Sequence, residues 1–288
     1  MARFTVVGAL VGGLAYWSTE SVWLVAVVLG VAAYVGTLAA AFGPVAAKSG
    51  MYLSIWPLFA LMLGSGDTDP WAVAVAFLAG GAIAMVVTAM RLRISGADTM
   101  AQSKKPERGP TAPDRSPSYL LQLRAAMTSP LGLFALVRTV AVIVAVLLGF
   151  WWFASHPMWI AITVIVVLQP PAHESLSVAV QRTIGTALGV GVAAVVAQLL
   201  PQGDSAVVIA FLISGLLMVA LMGANYTLFA AFLTAMLVFG QRLAQADPLQ
   251  AGWERLLATA AGAVISFLIV TAVGASTSKA GNTAPVDG

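Results

Sequence analysis

The residues best suited to chemistry lie between positions 156 and 191. Two apolar runs there flank a polar hinge, Gln169-Pro170-Pro171-Ala172-His173-Glu174-Ser175, and Arg182 then stands at the foot of an apolar run stepped by Gly185 and Gly189. A guanidinium stays charged at any working pH and holds carboxylates through two parallel hydrogen bonds. Arg182 could therefore attract and orient an organic anion; the plainer reading is an arginine that snorkels to anchor a helix end. Glu174 and His173 can exchange protons near neutral pH beside a low-dielectric path, as proton coupling would require. Their plainer role is to cap and charge-match a helix start. Trp159 could stack on an aromatic substrate or belong to an interfacial aromatic belt. Gln169 could hydrogen-bond an acid group, and the prolines after it suggest broken backbone near a cavity. Gly185 and Gly189 form a small-xxx-small step, read as helix packing.

These residues are carried by an unusually apolar chain. Of 288 residues, 60% are hydrophobic and 9% charged, with a mean hydropathy of +0.95. Water-soluble domains carry about 25% charged residues, so the lipid bilayer is the expected solvent. Continuous apolar runs, without period-two alternation, point to an all-α polytopic protein rather than an outer-membrane barrel. With no cysteine, disulfides, thiolate catalysis and Cys-ligated metals are excluded. The net charge of +3 belongs to loops and helix ends, so no nucleic-acid partner is expected. No phosphate loop, nucleophile elbow, HExxH or dinucleotide fingerprint is present. His156 and His173 would lie at opposite membrane faces if 157–169 spans, which argues against a two-His metal site. No metal, cofactor or enzymatic activity is expected.

Apolar runs bounded by Gly, Pro and charge predict ten helices. Four fall at 4–19, 22–42, 50–64 and 71–91. Six follow at 133–153, 157–169, 177–200, 205–223, 226–241 and 251–274. The polar segment 92–132 separates the groups with six basic against three acidic residues and prolines 106, 110, 113 and 117. It reads as a disordered cytoplasmic linker, with a brief interfacial helix at residues 119–127. A tail, 276–288, is read as disordered. Parity then places Arg138, Arg182 and the C-terminus inside, and Arg255 outside. A re-entrant 157–169 would invert everything after it, and charge counting does not separate the two. Spacings of 177, 178 and 181 residues recur between Gly8/Gly185, Asp69/Asp247 and Gly81/Gly262. They suggest that 1–91 is an incomplete four-helix copy of the complete six-helix repeat at 133–275.

The run Trp159-Ile160-Ala161-Ile162-Thr163, then Gln169-Pro170, then Arg182-Thr183-Ile184-Gly185-Thr186-Ala187-Leu188-Gly189 resembles the fusaric acid resistance, or aromatic acid exporter, family. The resemblance implies export of small organic anions, typically aromatic or lipophilic carboxylic acids, across a bacterial inner membrane. It also implies a homo-oligomer (dimer or trimer), a possible periplasmic adaptor, and pathway roles for Arg138 and Arg255. A local Glu254/Arg242 or Asp247/Arg255 ion pair is the plainer account of the outer cluster. Six helices per half would place two more before Met1. Plant malate channels are distantly similar, which keeps a passive anion channel open; a non-transporting scaffold or accessory subunit is the third reading.

Overall fold

The computed structural model describes residues 2–63, 71–72, 74–75, 78–82, 85–86, 118–153, 156–169, 175–200, 204–221, 224–243 and 247–281, and among them there is no strand. The chain divides into two compact units, residues 1–136 and 137–288.

The first unit holds α1 (Ala2–Trp17), α2 (Val22–Leu38), α3 (Pro44–Leu63), α4 (Tyr119–Met127) and the opening of α5 (Pro130–Trp152). Single turns of 3-10 helix, Ser18–Glu20 and Ala39–Phe42, follow α1 and α2. Gly43 closes the second of these at φ 103°, a conformation that a side chain would strain. Helices α2 and α3 touch backbone to backbone. A Cβ on Gly36 would meet the Gly50 carbonyl and Ser54 Oγ, and one on Gly50 would meet the Gly36 carbonyl. Such approach recovers dispersion energy that lipid gives to any apolar face. Ser54 Oγ is satisfied by the carbonyls of Gly50 at 2.9 Å and Ala32 at 3.1 Å.

Residues 119–127 form the anticipated helix, with Ala126 packed against Leu38 and Ala135. The Pro-free run after Ser118 can close helical bonds, the first two reaching the Ser118 carbonyl. Of the predicted helix at 71–91, residues 71–72, 74–75, 78–82 and 85–86 are described and are helical, while the linker at 92–117 lies outside the described residues.

The second unit continues α5 and adds α6 (Met158–Val167), α7 (Ser175–Leu199), α8 (Asp204–Leu221), α9 (Tyr226–Leu243) and α10 (Pro248–Gly281). Gly185 faces Thr227 and Ala230, and Gly189 faces Ala231 and Thr234. Rising numbers on both sides make α7 and α9 parallel neighbours. Two side chains start helices: Asn225 Oδ1 accepts from Leu228 N at 3.1 Å, and Asp247 Oδ1 from Leu249 N at 2.9 Å. Asn225 is thus a helix cap.

Helix α7 is inside out relative to a water-soluble helix. Its buried face is Ala179, Arg182, Gly185, Thr186, Gly189 and Ala193, while Val180, Ile184, Leu188, Val192 and Leu199 are exposed. Polar and small groups inward with branched apolar groups outward is the arrangement lipid selects. By length and composition five helical segments can cross a membrane: Val22–Phe42, Pro130–Trp152, Ser175–Leu199, Tyr226–Leu243 and Leu249–Ala272. The chain is therefore an all-α, multi-pass membrane protein. Helix α6 is different. Its ten residues extend about 15 Å, half of a hydrocarbon core of about 30 Å.

Candidate functional site

Nine of the ten α6 residues are buried, so the helix ends inside the second unit. A helix end leaves four carbonyls without intrahelical partners, and in an apolar interior each must find a donor. The four here are all answered. Leu168 N donates to Val164 O at 2.9 Å, Gln169 N to Val167 O at 3.0 Å, Gln169 Nε2 to Val166 O at 2.8 Å, and Arg138 Nη2 to Ile165 O at 2.8 Å. Gln169 thus stitches the broken backbone.

Arginines from three helices converge on α6. Arg138 (α5), Arg182 (α7) and Arg255 (α10) are each 2% exposed and are the only buried charged residues among those described. Arg182 Nε donates to Thr163 Oγ1 at 3.4 Å and its Nη1 to Tyr226 Oη at 3.2 Å. The Arg255 guanidinium lies 5.2 Å from the centre of the Trp159 ring, a cation–π contact. Trp159 and Thr163 are one helical turn apart, and Arg182 and Arg255 repel one another electrostatically. Arg182 and Arg255 thus meet at one site, although counting charges assigned them to opposite sides of the membrane. All three arginines sit within spanning segments, where they mark no loop.

Several donors around α6 have no hydrogen-bond partner among the described residues: Arg182 Nη2, Arg255 Nε and Nη1, and Trp159 Nε1. The hydroxyl of Thr259, one turn beyond Arg255 on α10, is likewise buried without a partner. A buried guanidinium without a counter-charge is expensive, and buried unpaired polar groups call for an explanation such as a bound ion. The cluster has donors to spare and few acceptors, so what it can hold is an acceptor-rich anion.

The other anticipated residues distribute as follows. Trp159 is 2% exposed, buried beneath Arg255 instead of lying in an exposed belt. Gly185 and Gly189 make the close α7–α9 approach expected of them. His173 and Glu174 lie outside the described residues. Neither anticipated outer ion pair forms. Glu254 Oε2 meets His156 Nδ1 at 2.9 Å, Arg242 Nη1 donates to Ala197 O at 2.6 Å, and Asp247 caps α10. Sequence reasoning missed Tyr226 and the His156–Glu254 pair. The available signal was a phenol directly after a helix-capping Asn, and a lone acid preceding a lone arginine. Among the described residues no group of three metal-ligating side chains occurs.

Apolar exteriors around a bundle that sequesters arginines define a helical membrane protein with a polar interior site, the class to which transporters belong. Residues 140–269 match the model of the fusaric acid resistance protein-like family. The match runs from α5 into α10 and contains Arg182 and Arg255, with Arg138 two residues before it. The family supports a membrane transporter of the efflux type. No curated protein and no solved structure matches the chain.

Proposed function

We propose that the protein exports small organic anions, aromatic or lipophilic carboxylic acids, and that Arg182 and Arg255 are the groups that hold the carboxylate. The observation that carries this reading is the set of buried N–H donors facing no acceptor around α6. A planar carboxylate would accept from both guanidiniums, replacing their mutual repulsion with two charge-assisted contacts. Trp159, with His156 stacked on its ring, holds Arg255 in place through the cation–π contact. Arg138 and Gln169 act one step removed, by fixing the end of α6 so that Thr163 and Trp159 stay in place. Tyr226 orients Arg182. The step is binding and release, with no covalent chemistry, so the protein is a carrier and not an enzyme.

The same reading sets the protein in a bacterial inner membrane, with linker and C-terminus cytoplasmic and the ten-helix arrangement of four plus six as its frame. Within that frame α6 serves as a buried half-length element. A homo-oligomer, dimer or trimer, and a periplasmic adaptor are the proposed partners.

Uptake of radiolabelled aromatic acids into inverted vesicles tests the proposal. Wild type is expected to accumulate at least one acid, and Arg182→Ala to lower the initial rate at least about tenfold, the cost of roughly 1.4 kcal/mol in anion binding. Equal accumulation in both would remove Arg182 as the anion site. Current through reconstituted protein without proton movement would favour a passive channel. Full transport by an Arg182, Gln169 and Glu174 triple variant would leave only a different mechanism or a scaffold.

A further inference from the structure

His156 and Glu254 form a buried-edge pair with no part in the carboxylate contacts. Both side chains are 16% exposed, the His156 Nδ1–Glu254 Oε2 separation is 2.9 Å, and Gln250 Nε2 donates to the other Glu254 oxygen at 3.0 Å. The imidazole is stacked on Trp159, with ring centres 3.9 Å apart and planes at 14°. The Arg255 guanidinium sits 5.2 Å from a ring of that indole. One tryptophan therefore holds a titratable ring and a fixed cation within about 9 Å of one another. The neighbours Glu254 and Arg255 on α10 address the two members of the stack.

We propose that His156–Glu254 is a proton-binding site whose occupancy sets how tightly the arginine cluster holds its anion. This rests on the anion-site reading given above. An imidazole gains its charge between pH 8 and 5. Gaining it here adds one positive charge beside Arg255, while Glu254 Oε2 accepts the hydrogen bond from Nδ1–H and stabilises the imidazolium. The added charge raises the potential felt by an anion, so affinity climbs as pH falls. Linkage makes the effect reciprocal: a bound anion raises the proton affinity of His156. Proton loss to water then loosens the anion.

The other charged or titratable groups around the stack do not reverse that sign. Arg182 from α7 and Arg255 from α10 stay charged. Tyr226 from α9 is held at Arg182, and Arg138 from α5 lies at the far end of α6. Asp247 is turned to the amides of its own helix, and Arg242 to the Ala197 carbonyl. A unit charge at about 9 Å in a partly screened interior corresponds to a change in affinity of roughly fivefold to twentyfold.

The test uses the full-length reconstituted protein and benzoate, which remains an anion throughout. Calorimetric affinity is measured from pH 8.5 to 5.5, and the imidazole signal of His156 is followed by NMR in a His173→Gln background, where it is the chain's single histidine. Wild type is expected to bind benzoate about tenfold more tightly at pH 5.5, and benzoate to move the His156 titration upward by about one pH unit. His156→Gln should give a flat profile at the weak, high-pH affinity. Glu254→Gln should bind more tightly than wild type at pH 8.5. Benzoate binding that is lost in Arg255→Gln yet flat with pH in wild type would overturn the coupling and spare the anion site. No benzoate binding at any pH, or binding indifferent to both Arg182→Gln and Arg255→Gln, would overturn the anion site and the coupling with it. The NMR titration in the His173→Gln background needs no variant of His156 or Glu254, so a misfolded variant of either does not leave the coupling undecided.

Discussion

The two units pack their helices by the same device and differ in what they enclose. In the first, Gly36 and Gly50 bring α2 and α3 into backbone contact, and the buried polar groups Ser18, Thr37 and Ser54 each spend their hydroxyl on a nearby carbonyl. In the second, Gly185 and Gly189 do the same for α7 and α9, yet the interior holds three arginines. Close packing is therefore general scaffolding. Among the described residues, buried charge with donors left over is confined to one unit, and that asymmetry is what separates a site from a support.

The sharpest way to break the comparison is to remove the charge and keep the volume. Arg255→Met should reduce acid uptake into inverted vesicles at least about tenfold while leaving the unfolding temperature unchanged or higher, because an apolar side chain replaces an unpaired buried cation. A fall in both would make Arg255 a structural residue. Arg138→Met should instead cost stability. Stripped of its donor, the Ile165 carbonyl is buried and unsatisfied, which costs about 1–3 kcal/mol, read as a lower unfolding temperature. Next come the glycine contacts. Gly36→Val and Gly189→Val each drive a branched side chain into a facing carbonyl, at about 1–3 kcal/mol. Thermal melts should fall in both, but benzoate affinity should change only with Gly189→Val, whose helix carries Arg182. The smallest effect is expected from Asp247→Ala, about 1 kcal/mol from a lost helix cap, with binding intact.

Much of the helical frame was legible because apolar runs are bounded by residues with a local mechanism, such as Asn225 or Asp247, although α3 begins at Pro44, six residues before its expected start. Local rules also anticipated α4 and the tight α7–α9 contact. The meeting of Arg182 with Arg255 was not legible, since it depends on the depth at which two helices cross. Counting loop charges misled there, because an arginine inside a span obeys packing and not the membrane's sidedness. The plainer partners proposed for Arg255 failed for a related reason. On a helix the neighbours Glu254 and Arg255 point about 100° apart, so one reaches His156 while the other turns to Trp159. Gln169 was noticed for its place before two prolines, and its part in closing Val166 and Val167 became visible only with the α6 end.

The unpaired guanidinium nitrogens also mean that the empty protein is held below its own best stability. Any acid that fills the cluster binds the folded form alone and must raise its melting point by mass action, about 2.7 kcal/mol at a hundredfold excess over Kd. Ranking a library of carboxylates by that rise would let the fold itself select its substrate, with no transport assay and no prior choice of compound.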